Sequence, residues 1–121
     1  MLVIRSEQLE VFSQAMQDRF VEQMVRHLTT DFPSEVRGLG VDRAGLEGLV
    51  RQGIVQAREY GIEYDDDLQL YLDCMVLLGP QFNADPRYPW AATILNDGDK
   101  DGETKMAEIS QYLQFGLEDR K

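Results

Sequence analysis

Cysteine and histidine are almost missing from this chain, with Cys74 and His27 the only examples among 121 residues. A lone cysteine forms no intramolecular disulfide, and Cys74 lies among Leu72, Met75 and Val76, so a packed, reduced thiol is expected. One histidine and one cysteine also cannot supply the usual parts of a zinc site, a Ser/His/Asp triad or a Cys/His relay. A phosphate-cradling loop is missing too, because Gly38-Leu39-Gly40 has neither the lysine nor the preceding strand that such a loop needs. A non-enzymatic protein is the expectation. No apolar stretch approaches the roughly 20 residues of a membrane span, and Met1-Leu2-Val3-Ile4-Arg5-Ser6 lacks the basic start and long apolar core of a secretory signal. A cytoplasmic setting is therefore expected.

Positive charge is scarce as well. Twelve basic residues face 22 acidic ones, for a net charge of -10. Such a balance repels phosphate backbones and anionic membranes, so neither nucleic acid nor membrane is an expected partner. A basic protein surface or a cation suits it better. The acidic excess falls mainly in two stretches, Glu59 to Asp73 and Asp97 to Glu108. Within the first, Glu63, Asp66 and Asp67 are the expected partner-binding positions, and Tyr88, further along, is the aromatic candidate beside them.

Hydrophobic residues make up 43% of the chain, enough for a core, and the length fits a single domain over residues 1–121. Leu9, Phe12, Met16, Phe20, Met24 and Leu28, joined by Ala15 and Val25, recur at steps of three and four, which predicts a long first helix. Ser6 is its expected N-cap, and Pro33 stops it and opens a short turn through Val36. Asp42 is placed to cap a second long helix through Leu46, Val50, Ile54 and Ala57 that ends at Gly61. Gly45, Gly48 and Gly53 within it signal either close packing or local weakness. A third helix, opened by Asp65-Asp66-Asp67, is apolar nearly all round from Leu68 to Leu78 and should be central. Gly79-Pro80 ends it, Pro89 opens a fourth helix with Trp90, Ile94 and Leu95, and a last one carries Met106, Ile109, Tyr112, Leu113 and Leu117. With no sustained alternation anywhere, the expected fold class is all-α, an irregular bundle of about five helices.

One spacing carries metal chemistry. Asp97, Asp99, Asp101 with Gly102, then Glu103 and Glu108, match the ligand positions of an EF-hand calcium loop. Its frame is poorer, with Thr104 where such loops carry an aliphatic residue, Lys105 at position nine, a short incoming helix and no second loop to pair with. Calcium is therefore a candidate cation, against the alternative of a solvated acidic turn with Asp and Gly as caps. Asp65, Asp66, Asp67 and Asp73 are close enough in sequence for a two-carboxylate mechanism, but helix capping accounts for them. Phe82, Tyr88 and Trp90 either pin the connection after the third helix to the core or offer anchors to a partner.

The pattern Tyr60-Gly61-Ile62, Tyr71-Leu72, Leu78-Gly79-Pro80-x-Phe82 and Asp85-Pro86-Arg87-x-Pro89-Trp90-Ala91 resembles a group of small helical bacterial proteins often encoded beside type VI secretion and polymorphic-toxin genes. Phe20, Met24, His27-Leu28 and Phe32-Pro33 are similar too, so the resemblance spans about residues 5 to 95. It implies an accessory role: a chaperone or adaptor for a secreted effector, or an immunity protein against a toxin. It implies no catalytic residues. The loop from Asp97 to Glu108 is not expected in that group.

Overall fold

In the computed structural model, which describes residues 14–119, every regular element is helical. In chain order these are α1 (Gln14–Asp31), α2 (Pro33–Gly38), α3 (Arg43–Glu59), α4 (Asp65–Leu78), a 3-10 turn (Phe82–Ala84), α5 (Pro89–Leu95) and α6 (Gly102–Asp119). The expected all-α bundle is observed. Ser6, Leu9, Phe12 and the side chains of Met16 and Leu117 lie outside the described residues. The stripe of α1 that meets the core is Val21, Met24, Val25 and Leu28; Phe20 sits at its edge and Ala15 is exposed.

Local chemistry sets the helix limits. Pro33 follows α1 almost at once and occupies the first turn of α2, where its missing N–H costs nothing. Asp42 caps α3, its carboxylate accepting from the Gly45 amide at 2.8 Å. At the other end Gly61 takes a left-handed φ of 83°. Its N–H donates to the Arg58 carbonyl and that of Ile62 to the Ala57 carbonyl, a Schellman closure with Ile62 buried beneath it.

The α4 helix is the spine. Leu68, Tyr71, Leu72, Cys74, Met75, Val76 and Leu78 are all buried, and α1, α2, α3, α6 and the 3-10 turn pack around it. Burial of so much of one helix is why its sequence reads as apolar nearly all round. The α3–α4 contact closes over Gly53, where a Cβ would lie 2.7 Å from Leu72 Cδ2 and 2.5 Å from Met75 Sδ. Close packing thus accounts for Gly53, whereas Gly48 faces open space.

Candidate functional site

The two acidic stretches meet in space. Gly102, the first residue of α6, is buried against the backbone of Gly61 and Ile62, so close that a Cβ there would lie 2.7 Å from Ile62 Cα. This contact sets the loop from Asp97 to Asp101 beside the link that leads into α4. On the link side Glu63, Tyr64, Asp65 and Asp66 are exposed, while Asp67 is partly buried and engaged with a neighbour. The three aspartates occupy the first turn of α4, which has no side-chain cap, so their charge there is favourable to the helix dipole.

Both lysines of the second stretch are engaged, one buried and one at the surface. Lys105 is only 6% exposed; its Nζ donates to the Tyr60 carbonyl at 2.8 Å, at the C-terminal end of α3 where a cation is favoured. Lys100 Nζ reaches Glu108 Oε1 at 2.7 Å and Asp97 Oδ2 at 3.6 Å, and the Glu108 carboxylate holds the ammonium above its ordinary pKa. No arginine or lysine interrupts the sequence from Glu59 to Pro86. The result is an acidic end of the molecule whose nearby cations are already consumed.

The calcium-loop expectation meets a different geometry. An EF-hand keeps its backbone open through position seven, where a carbonyl faces the ion. Here α6 already begins at position six, Gly102, so the Glu103 carbonyl belongs to the helix ladder. Asp101 is the N-cap, accepting from the Thr104 amide at 2.8 Å, and the Thr104 side chain together with that amide lowers its carboxyl pKa. Asp97 closes a turn by accepting from the Asp99 amide at 3.0 Å. Lys100 fills the position between Asp97 and Glu108 where a cation would sit. Among the described residues no group of three or more acidic, histidine or cysteine side chains converges as a metal cage. Asp97 and Glu108 pair with Lys100, Asp97 also closes a turn, Asp101 caps α6, and Glu103 lies in the first turn of that helix.

Tyr88 belongs to a different surface. Its ring meets Trp90 edge-on at 6.0 Å, and Trp90 stacks on Tyr112 of α6 at 5.0 Å and 6°. Arg87, paired with Asp85 at 2.7 Å, covers the outer face of Tyr88. Tyr112 lies ten residues up α6 from Gly102, about 15 Å along the axis, so the ladder and the acidic end are separate. Phe82 is fully buried against Tyr71, which is core pinning, while Trp90 is only partly covered.

Cys74 is fully buried and burial pushes its thiol up to about 12. Asp73 turns away from Asp65, Asp66 and Asp67 to bond His27 at 2.8 Å, so the four carboxylates do not form one cluster. A groove of about 210 Å³ between α1 and α3, lined by Phe20, Val21, Ile54, Val55, Arg51 and Arg58, was not foreseen. Its residues come from two helices whose sequences show only ordinary amphipathicity. No family model, curated protein or solved structure matches the chain. Among the described residues no helix is long and apolar enough to cross a membrane.

Proposed function

We propose that this chain is a non-catalytic binding protein that engages a more basic protein partner through its acidic end, in the cytoplasm, as an accessory factor. Following the resemblance, the role is that of a chaperone or adaptor for an effector delivered by type VI-type machinery. The observation that carries the reading is the meeting of the two acidic stretches at the Gly61–Gly102 contact, with Lys105 buried and Lys100 paired to Glu108. A continuous field of one sign accelerates encounter with an oppositely charged surface and rejects like-charged ones. The partly covered His27 and the protonated, buried Cys74 support a role without chemistry of their own.

The second reading, an immunity protein, rests on the same surface, because an acidic face suits a toxin whose active site binds phosphate. The two roles separate in cells: an immunity protein rescues growth when the toxin domain alone is expressed, whereas a chaperone changes an effector's solubility or export. The surface itself is tested by reversing Glu63, Asp65 and Asp66 to lysine and measuring association at two salt concentrations. Asp67 is left in place because it is partly buried. A folded triple variant should associate roughly tenfold more slowly at low salt and lose most of the salt dependence. An unchanged on-rate and salt slope would assign the acidic excess to solubility alone.

A further inference from the structure

The groove between α1 and α3 shares no lining residue with the acidic end, and its makeup is the reverse of that surface. Its apolar lining comes from Phe20 and Val21 on one helix and Ile54 and Val55 on the other, and Arg51 and Arg58 line it too. Arg51, Ile54, Val55 and Arg58 stand at i, i+3, i+4 and i+7, so they share one stripe of α3, with the two arginines about 10 Å apart along its axis. Val55 is 61% exposed, more than any other large apolar side chain among the described residues. Covering it would be favourable.

We propose that this groove is a docking site for an amphipathic helix of a protein partner, one that carries a single large apolar side chain with a carboxylate one turn to either side. The volume of about 210 Å³ sets the size of the anchor. Pockets for drug-sized ligands begin at roughly 300 Å³, so this one has room for one leucine-sized or phenylalanine-sized side chain and little more. The stripe on α3 sets the register, because a docked helix repeats the same spacing and brings its own flanking groups opposite Arg51 and Arg58. Guanidinium forks suit carboxylates at both places.

Local charge selects an acidic helix despite the net charge of -10 on the whole chain. Six arginines face seven acidic residues from Gln14 to Ile62, whereas three cations face 13 acidic residues from Glu63 to Asp119. The half that carries the groove is therefore nearly neutral. At physiological ionic strength the field of exposed charges fades within about 8 Å, so the two arginines govern what meets the groove. Both already have neighbours: Arg51 reaches Asp18 at 2.6 Å, with the two side chains 43% and 49% exposed, and Arg58 is partly buried and engaged. An exposed pair such as Arg51 with Asp18 is exchanged for a partner's carboxylate at little cost.

Titrating the full chain with capped, alanine-based helical peptides of about 16 residues tests the site, read by the methyl signals of Val21, Ile54 and Val55. A peptide with Glu, Leu and Glu at i, i+4 and i+7 should shift those methyls saturably, with a dissociation constant on the order of 0.1 mM. Lysines in place of both glutamates, or alanine in place of the leucine, should each weaken binding at least about tenfold. Val55→Glu should weaken the glutamate peptide as much, and Arg51→Gln should cut the preference for glutamate over lysine several-fold. Both positions are exposed, so the melts of these variants should not move. No shift at about 1 mM glutamate peptide, or equal affinity for the lysine peptide, would overturn the proposal. So would groove methyls that already move on dilution of the chain alone, which would seat a second copy there. A glutamate-peptide affinity that rises several-fold on deletion of residues 1–12 would overturn it as well, by seating the chain's own N-terminal segment in the groove.

Discussion

Two seams in this molecule close over a glycine, and they are built of different material. At the α3–α4 seam, Gly53 admits Leu72 Cδ2 and Met75 Sδ, the far ends of side chains that can move. At the acidic end, Gly102 admits the Gly61 carbonyl and Ile62 Cα, which belong to a backbone already fixed by the Schellman closure of α3. The first seam tunes packing inside the core. The second holds two loops together and thereby brings both acidic stretches to one end of the molecule. A small residue at a helix contact is thus a matter of volume in one case and of chain path in the other.

The sharpest way to break this comparison is Gly102→Ala, for which the largest effect is expected. No side chain can yield, so the α6 terminus or the link at Gly61 must shift, at a cost of about 2 to 3 kcal/mol, the upper range for overpacking. The melt should drop accordingly, and Tyr60 to Glu63 should show the largest amide shifts. A loss below 1 kcal/mol would show that the two loops are not held by this contact. Gly53→Ala should cost about 1 kcal/mol or less, because Met75 can rotate aside and alanine recovers about 1 kcal/mol of helix propensity. Gly48→Ala, with nothing within 4 Å of the new Cβ, should instead stabilise by roughly 0.5 to 1 kcal/mol. Denaturant melts of the pair give the contrast, and equal signs for Gly48 and Gly53 would remove it.

These glycines also show which features a sequence makes legible. Helix limits at Pro33, Asp42, Gly61 and Gly79 follow from dihedral and capping chemistry within a few residues, so they can be read in one dimension. The centrality of α4 is legible for a similar reason, since only a helix covered on all sides carries so little polar residue after Asp67. By contrast, Gly48 and Gly53 look alike in sequence and differ only in what stands opposite. The pairing of His27 with Asp73 and of Lys105 with the Tyr60 carbonyl joins residues 46 and 45 positions apart, and no local pattern announces either. The acidic end was legible as two stretches but not as one surface, because the contact that unites them is between backbones.

The smallest effect is expected from calcium, and its absence would sharpen the account of the acidic end. The carboxylates of Asp97 and Asp101 already have backbone partners, and α6 starts too early to leave the Glu103 carbonyl free. To bind calcium the loop would have to unwind the first turn of α6, give up the Asp101 cap and displace Lys100 from Glu108. Unwinding that turn would also release Lys105 from Tyr60, so metal binding and the Gly102 seam are mutually exclusive. A ligand that binds only the folded state at a hundred times its dissociation constant adds about 2.7 kcal/mol. Millimolar calcium should therefore leave the melt within error of the metal-free curve and give no titration heat beyond dilution. In Lys100→Met, where the internal cation is gone and Asp97 and Glu108 repel each other, a weak calcium response of about 1 °C is the most to be expected. A rise of several degrees in the unmodified chain would mean that the acidic end is a metal-gated loop, with the turn at Gly102 formed only in the absence of the ion.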